Sequence, residues 1–246
     1  MPAASTAFFD SALETATMND NVYTYNSNGT LVSADERNKV LRNTYWLLAL
    51  SLLPTVAGAW LGVATGIAQG LTGFMGLIVF MGGAFGFMWA IEKNKNSAAG
   101  VPILLAFTFF MGVMLSRMIA MVLGKANGAE LIMTAFGGTA GVFFVMASLA
   151  SVIKRSLEGM AQWLTVGALV LMVGAIVNIF VGSSVGMMVI SVLAIAIFSL
   201  FMLYDLKRIV DGGETNYISA TLGLYMSLFN VFQSLLALLG MGGSDD

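Results

Sequence analysis

The sequence predicts an all-α protein, a polytopic transmembrane bundle of seven helices. Two observations lead to this fold class: the composition of the chain and the length of its apolar runs. Hydrophobic residues make up 58% of the chain and charged residues only 10%, whereas an average soluble domain carries roughly 25% charged residues. A soluble fold could not cover so much apolar surface, so the apolar segments are expected to lie in lipid as helices.

Each apolar run has the length of a membrane-spanning helix. A helix needs about 20 apolar residues to cross roughly 30 Å of hydrocarbon. The connections between the runs are short, so consecutive helices are expected to be antiparallel neighbours. The predicted spans are residues 43–66, 71–91, 101–123, 129–153, 160–181, 187–204 and 218–240.

The basic residues predict the orientation of the bundle, because cytoplasmic flanks of membrane helices are enriched in Lys and Arg. With seven spans, the other side of the membrane holds only Lys125, and Arg117 lies inside span three. The N-terminus is therefore expected in the cytoplasm and the C-terminus outside. The residues that share the cytoplasmic side are Arg37, Lys39, Arg42, Lys93, Lys95, Lys154, Arg155, Lys207 and Arg208.

Three regions are expected along the chain. Residues 1–41 are polar and show no hydrophobic period, which predicts a disordered cytoplasmic tail. This leader has no basic segment followed by an apolar core, so it is not interpreted as a signal peptide. Residues 42–241 form the transmembrane domain, and residues 242–246 form a short acidic tail.

The composition excludes several classes of function. The chain has no cysteine and no histidine, which removes disulfides, the usual zinc and haem ligands, and Ser–His or Cys–His catalytic pairs. A net charge of −2 argues against a nucleic-acid surface. With a single aspartate near membrane depth, an intramembrane aspartyl protease is also excluded. We therefore expect a protein that is not an enzyme, with no cofactor and no assigned metal site.

Glycines at a spacing of four residues predict close helix packing, because small residues let membrane helices approach each other. We expect these glycines to pack inside one bundle, and a homodimer face is the alternative. They are Gly58, Gly62, Gly66 and Gly70 in and after span one, Gly82 and Gly86 in span two, and Gly137 and Gly141 in span four.

Asp205 is the main candidate for chemistry, since ionisable groups at membrane depth are rare and often functional. One interpretation is an interfacial aspartate paired with Lys207 or Arg208. The other is a buried carboxylate that gates or binds a cation. Without histidine, pH sensing would rest on a carboxylate. Arg117 either reaches the outer headgroups or faces the bundle interior, so it joins Lys207 and Arg208 as a candidate counter-charge.

A polar stripe on span seven strengthens the second interpretation of Asp205. At 100° per residue, six positions share one face of the helix. The stripe either lines a hydrated path to Asp205 or bonds neighbouring helices together, and both interpretations stay open. Ser227 and Asn230 thus become candidate ion or pH-site residues. The six positions are Asn216, Ala220, Gly223, Ser227, Asn230 and Ser234.

Several motifs carry a family resemblance over about residues 38–240. The chain has DGGETNYI at 211–218 followed by SATLGLYMSLFNVFQSLL, KVLRNTY at 39–45, GGTA at 137–140 and VNIF at 177–180. Together these resemble the Bax-inhibitor-like (TMBIM) membrane family, and within it the YccA-type modulators of the bacterial FtsH protease. The resemblance implies a multi-pass protein of the bacterial inner (plasma) membrane whose last helix is central in the bundle.

The resemblance also implies two lines of function. YccA-type members are described as substrates and inhibitors of the membrane AAA protease FtsH, in association with HflK/HflC regulators. This makes a role in membrane protein quality control the first hypothesis. Other members are described as pH-sensitive calcium leak channels gated by two aspartates. The first of these matches Asp205, but the second falls on Ser227, so the paired-carboxylate switch is absent. A calcium or proton leak through the interface of helices six and seven is the alternative hypothesis.

Overall fold

The computed structural model describes residues 23–25, 31–67, 70 and 73–242. Within these ranges, all seven helices are long and apolar enough to cross a membrane. The predicted all-α bundle of seven spans is therefore confirmed. The helices are α1 Ala34–Thr65, α2 Gly73–Asn94, α3 Gly100–Leu123, α4 Gly128–Val152, α5 Glu158–Val181, α6 Ser184–Val210 and α7 Tyr217–Gly242.

The first helix begins earlier than predicted, at Ala34, so the expected boundary between residues 41 and 42 falls inside α1. The cause is a capping box: the Ser33 side chain accepts from the Glu36 backbone N–H, and the Glu36 carboxylate accepts from the Ser33 N–H. A short antiparallel hairpin, β1 Tyr23–Tyr25 and β2 Leu31–Ser33, precedes the cap. The rest of the predicted disordered tail (1–22 and 26–30) and residues 243–246 of the acidic tail lie outside the described residues.

The two loops that follow α2 and α6 meet at one end of the bundle. The Asn216 side-chain amide donates to the Lys95 carbonyl oxygen at 3.1 Å and to Asn96 Oδ1 at 2.8 Å. The first part of α1 lies near this end too, because the Thr221 hydroxyl, which donates to the Tyr217 carbonyl oxygen at 2.6 Å, lies 3.4 Å from the Thr44 carbonyl oxygen. This end, where α2, α4 and α6 finish, carries most of the basic residues, and we call it the basic end. Which side of the membrane it faces stays a prediction.

Helices α1 and α3 are in backbone contact at two glycines. A methyl group on Gly58 would lie 3.1 Å from the carbonyl carbon of Phe109, and one on Gly112 would lie 2.8 Å from the carbonyl carbon of Thr55. Both would overlap the attached oxygens. Gly62 likewise faces Ser116 on α3. The prediction of close packing is therefore confirmed for Gly58 and Gly62.

The remaining glycines predicted to pack inside the bundle do not do so. Methyl groups on Gly82, Gly86, Gly137 and Gly141 would meet no atom within 4 Å among the described residues. These four glycines lie on the outer, exposed surface of α2 and α4. Spacing alone was misleading, because a four-residue repeat gives a narrow face to a helix without showing which side that face takes. Gly66 instead ends α1 with φ of +68°.

The last helix is the centre of the bundle, as the resemblance implied. It packs against α1, α2, α3, α4 and α6, and no residue from Tyr217 to Met241 is exposed. Tyr225, Leu224 and Val231 are fully buried. Every surface of α7 is thus an interface, so its polar residues must find partners inside the protein.

Candidate functional site

Asp205 lies at the interface of α6 and α7, near the basic end. It stands five residues before the end of α6 at Val210, or about 8 Å along the helix axis, and is half-buried. A methyl group on Gly223 of α7 would lie 2.9 Å from Asp205 Oδ2. The carboxylate therefore rests against the backbone of the central helix, in space that only a glycine leaves free.

The two neighbouring basic side chains have other partners. Lys207 is buried and pairs with Asp211, one helical turn further along α6. Arg208 Nη2 lies 3.4 Å from Glu214 Oε2. The interpretation of Asp205 as an aspartate paired with Lys207 or Arg208 is therefore wrong.

The geometry of α6 explains these pairings. Residue 207 points about 200° around the helix from residue 205, whereas residues 207 and 211 share a face. Arg208 is turned toward the loop, where Gly212, with φ of +76°, reverses the chain and brings Glu214 close. In the described part of the chain, no hydrogen bond or ion pair reaches the Asp205 carboxylate. The charges of Arg208 and Glu214 act on it only at longer range.

At Gly223 the polar stripe faces α6, because this glycine contacts Asp205. Ser227 is buried on this stripe, about 6 Å along α7 from Gly223, and Asn230 is about 10 Å along. The Asn230 amide donates to the Met226 carbonyl oxygen of its own helix at 2.7 Å. Among the hydrogen bonds of the described residues, none joins Asp205 to Ser227 or Asn230. The three candidate residues therefore do not form one bonded cluster.

Asn216, at the start of the predicted stripe, is a helix cap. Its Oδ1 accepts from the backbone N–H groups of Ile218 at 2.9 Å and Ser219 at 3.1 Å. Its side-chain amide makes the two bonds to the loop after α2 described above. One side chain therefore both caps α7 and fastens two loops of the basic end together.

The opposite face of α7 carries a buried polar group that the sequence analysis missed. The Tyr225 hydroxyl lies 2.9 Å from Thr55 Oγ1 of α1 and 3.4 Å from the Thr108 carbonyl oxygen of α3. The Thr55 hydroxyl also lies 2.8 Å from the Ser51 carbonyl oxygen of its own helix, so the two hydroxyls share two carbonyl acceptors between them. Edge contact with the Phe107 ring completes the site. This cluster joins α1, α3 and α7 in the core.

Arg117 lies far from Asp205. Counted from the basic end, it stands 17 residues into α3, about 25 Å, whereas Asp205 stands about 8 Å from that end. This distance rules out Arg117 as a counter-charge to Asp205. Arg117 is exposed and lines a cavity of about 320 Å³ together with Gln233 of α7. The sequence gave no signal for this cavity, because its walls come from four different helices.

Comparison with known proteins identifies the family. Residues 37–244 match the family described as "Inhibitor of apoptosis-promoting Bax1" (Bax1-I). An uncharacterized protein of Neisseria meningitidis serogroup A is 37% identical over 213 residues, which cover 85% of this chain and 94% of the relative. An uncharacterized membrane protein of Vibrio cholerae is 36% identical over 211 residues, covering 86% and 93%.

A third relative has a named activity. The "Modulator of FtsH protease YccA" of Escherichia coli K12 is 36% identical over 208 residues, which cover 85% of this chain and 92% of that protein. The same figures hold for an E. coli O6:H1 protein named "Inner membrane protein YccA". With the seven apolar helices, these relatives confirm the prediction of a multi-pass protein of the bacterial inner membrane. The chain belongs to the Bax1-I family of membrane proteins.

Proposed function

We propose that this chain is a modulator of an FtsH-type membrane protease and acts in membrane protein quality control. The observation that carries the proposal is the match to the E. coli modulator of FtsH, which extends over 92% of that protein at 36% identity. The chain acts by association and catalyses no reaction of its own. HflK/HflC-like regulators are further proposed partners.

The N-terminal segment is the proposed point of contact with the protease. Residues before Ala34 join the bundle at the basic end, where the chain carries most of its Lys and Arg. The excess of basic residues favours a cytoplasmic location for this end. A segment of about 30 residues is long enough to enter a cytoplasmic AAA pore, since an extended chain spans roughly 3.3 Å per residue.

Deletion of residues 2–30 tests this proposal; it removes β1 of the short hairpin but none of the seven helices. The deletion keeps Ser33 and Glu36, which cap α1. In cells that express the FtsH-type protease, the deleted protein should have a longer half-life than the full chain. Deletion of residues 243–246, at the other end of the chain, is the matched control and should leave the half-life unchanged. Equal half-lives of the full and N-terminally deleted chains would refute the proposed contact.

A second candidate function is a cation leak through the α6/α7 interface. It is supported by the unpaired Asp205 carboxylate, which rests against Gly223 at the stripe that includes Ser227 and Asn230. A carboxylate at this depth without an ion-pair partner is a typical cation site in a membrane protein. Ser227 supplies a hydroxyl where the family's channel members have a second aspartate, so a single carboxylate would have to suffice.

Ion flux into proteoliposomes tests the second candidate. Calcium and proton flux would be measured between about pH 5 and 8, and any pH dependence would have to come from a carboxylate, because the chain has no histidine. Asp205→Asn should change the pH profile, and Gly223→Ala should change flux by displacing the carboxylate. Gly141→Ala, on the open surface of α4, should have no effect. If liposomes that contain the wild-type protein show no more ion flux than empty liposomes, the stripe serves only to pack α7 against α6.

A further inference from the structure

The cavity at the end of the bundle opposite the basic end has the composition of a lipid site. Four helices line it: α2, α3, α5 and α7. Leu77, Phe80, Met114 and Ile179 give it apolar walls, and two polar side chains, Arg117 and Gln233, project among them. A volume of about 320 Å³ lies at the lower limit of ordinary ligand pockets. It is too small for a whole lipid but large enough for a headgroup phosphate and its glycerol.

Both polar groups lack a partner within the described chain. Among the described residues, no ion pair or hydrogen bond reaches Arg117 or Gln233, and no carboxylate lines the cavity. Arginine stays charged under all physiological conditions. The exposed Arg117 guanidinium lies beside the apolar walls of the cavity, where an anion would pair with it through charged hydrogen bonds, and the described residues supply none at this position. The missing partner must therefore come from outside the described chain.

The depth of Arg117 shows where that anion comes from. Arg117 stands six residues before the end of α3 at Leu123, about 9 Å along the axis. A helix of 24 residues is about 36 Å long and extends roughly 3 Å beyond each side of a 30 Å hydrocarbon layer. The Arg117 backbone then lies about 6 Å inside the hydrocarbon, and its side chain is long enough to reach the phosphate layer.

We propose that this cavity binds the phosphate of an anionic phospholipid, with Arg117 and Gln233 as donors and an acyl chain along Leu77, Phe80, Met114 and Ile179. Arginine binds phosphate through two parallel hydrogen bonds, which makes it a preferred phosphate ligand in proteins. A zwitterionic lipid fits less well, because no acidic side chain in the cavity would pair with its cationic headgroup. This site is independent of the protease and leak proposals, since it lies at the other end of the bundle from Asp205.

Lipid titration of the purified protein in detergent tests this site. Native mass spectrometry would follow the binding of phosphatidylglycerol, with phosphatidylcholine and inorganic phosphate as comparison ligands. Phosphatidylglycerol should bind more tightly than either. Arg117→Gln should weaken it roughly ten- to one-hundredfold, the range expected for loss of a charged hydrogen bond. Arg117→Lys should retain part of the affinity, and Gln233→Leu should weaken binding severalfold.

Lys125→Gln is the matched control, because it removes one positive charge at the same end of the bundle, outside the cavity. It should leave the affinity unchanged. The proposal is overturned if Arg117→Gln binds phosphatidylglycerol as the wild type does, or if Lys125→Gln weakens binding as much as Arg117→Gln. Equal binding of phosphatidylcholine, or full competition by inorganic phosphate, would also overturn it. Arg117 is exposed, so its variants should fold normally, which thermal unfolding would verify.

Discussion

Replacement of Gly112 by alanine tests how closely α1 and α3 pack. The added methyl group would lie 2.8 Å from the Thr55 carbonyl carbon and 3.0 Å from the Ala59 nitrogen, whereas ordinary contact begins at 3.4 Å. The helices would have to separate by at least 0.6 Å (3.4 − 2.8), and both obstacles are backbone atoms that cannot rotate away. Overpacking of this kind costs about 1–3 kcal/mol, and we expect Gly112→Ala to fall near the upper value.

Thermal unfolding in detergent measures this effect. A loss of 3 kcal/mol should lower Tm by about 6–12 °C, on the scale known for chains of roughly 150–250 residues. Gly137→Ala is the matched control and should not lower Tm. Its methyl group would meet no atom within 4 Å among the described residues, and alanine is favoured over glycine in a helix by up to about 1 kcal/mol. An unchanged Tm for Gly112→Ala would show that α1 and α3 are further apart than described.

Two further predictions concern the polar contacts of α7. Tyr225→Phe removes the hydrogen bond to Thr55 and should lower the free energy of unfolding by about 1 kcal/mol. A change of less than a few tenths of a kcal/mol would mean that the hydroxyl does not stabilise the core. Asn216→Ala removes a helix cap worth about 1 kcal/mol together with the bonds to Lys95 and Asn96. Hydrogen exchange should then become faster in the two loops of the basic end. Unchanged exchange rates there would contradict the claim that Asn216 holds these loops together.

The sequence was sufficient to predict the architecture, because each membrane-spanning helix appears in the sequence as an apolar run of about 20 residues. It also singled out both Asp205 and the stripe that contains Gly223, and the structure places these two residues in contact; whether the stripe lines a hydrated path stays a prediction. It failed at α1, where the Ser33–Glu36 capping box was a readable signal for an earlier helix start. The polar composition of this segment concealed that signal.

Other features of the site could not be predicted from the sequence. Gly58 and Gly82 belong to identical four-residue repeats, yet only Gly58 contacts another helix. The contact of Thr55 with Tyr225 could not be predicted either. A threonine hydroxyl that donates to its own helix can face either lipid or the core. The cavity beside Arg117 depends on which helices adjoin, and periodicity within one helix does not contain that information.

The central claim is that the chain modulates an FtsH-type protease, and reconstitution tests it most directly. The purified protease and a membrane-protein substrate would be placed in proteoliposomes with this chain, or with an unrelated seven-span protein at the same molar ratio. The rate of substrate degradation would be followed in each. We predict slower degradation with this chain and no change with the unrelated protein. Equal rates in both samples would contradict the proposed function.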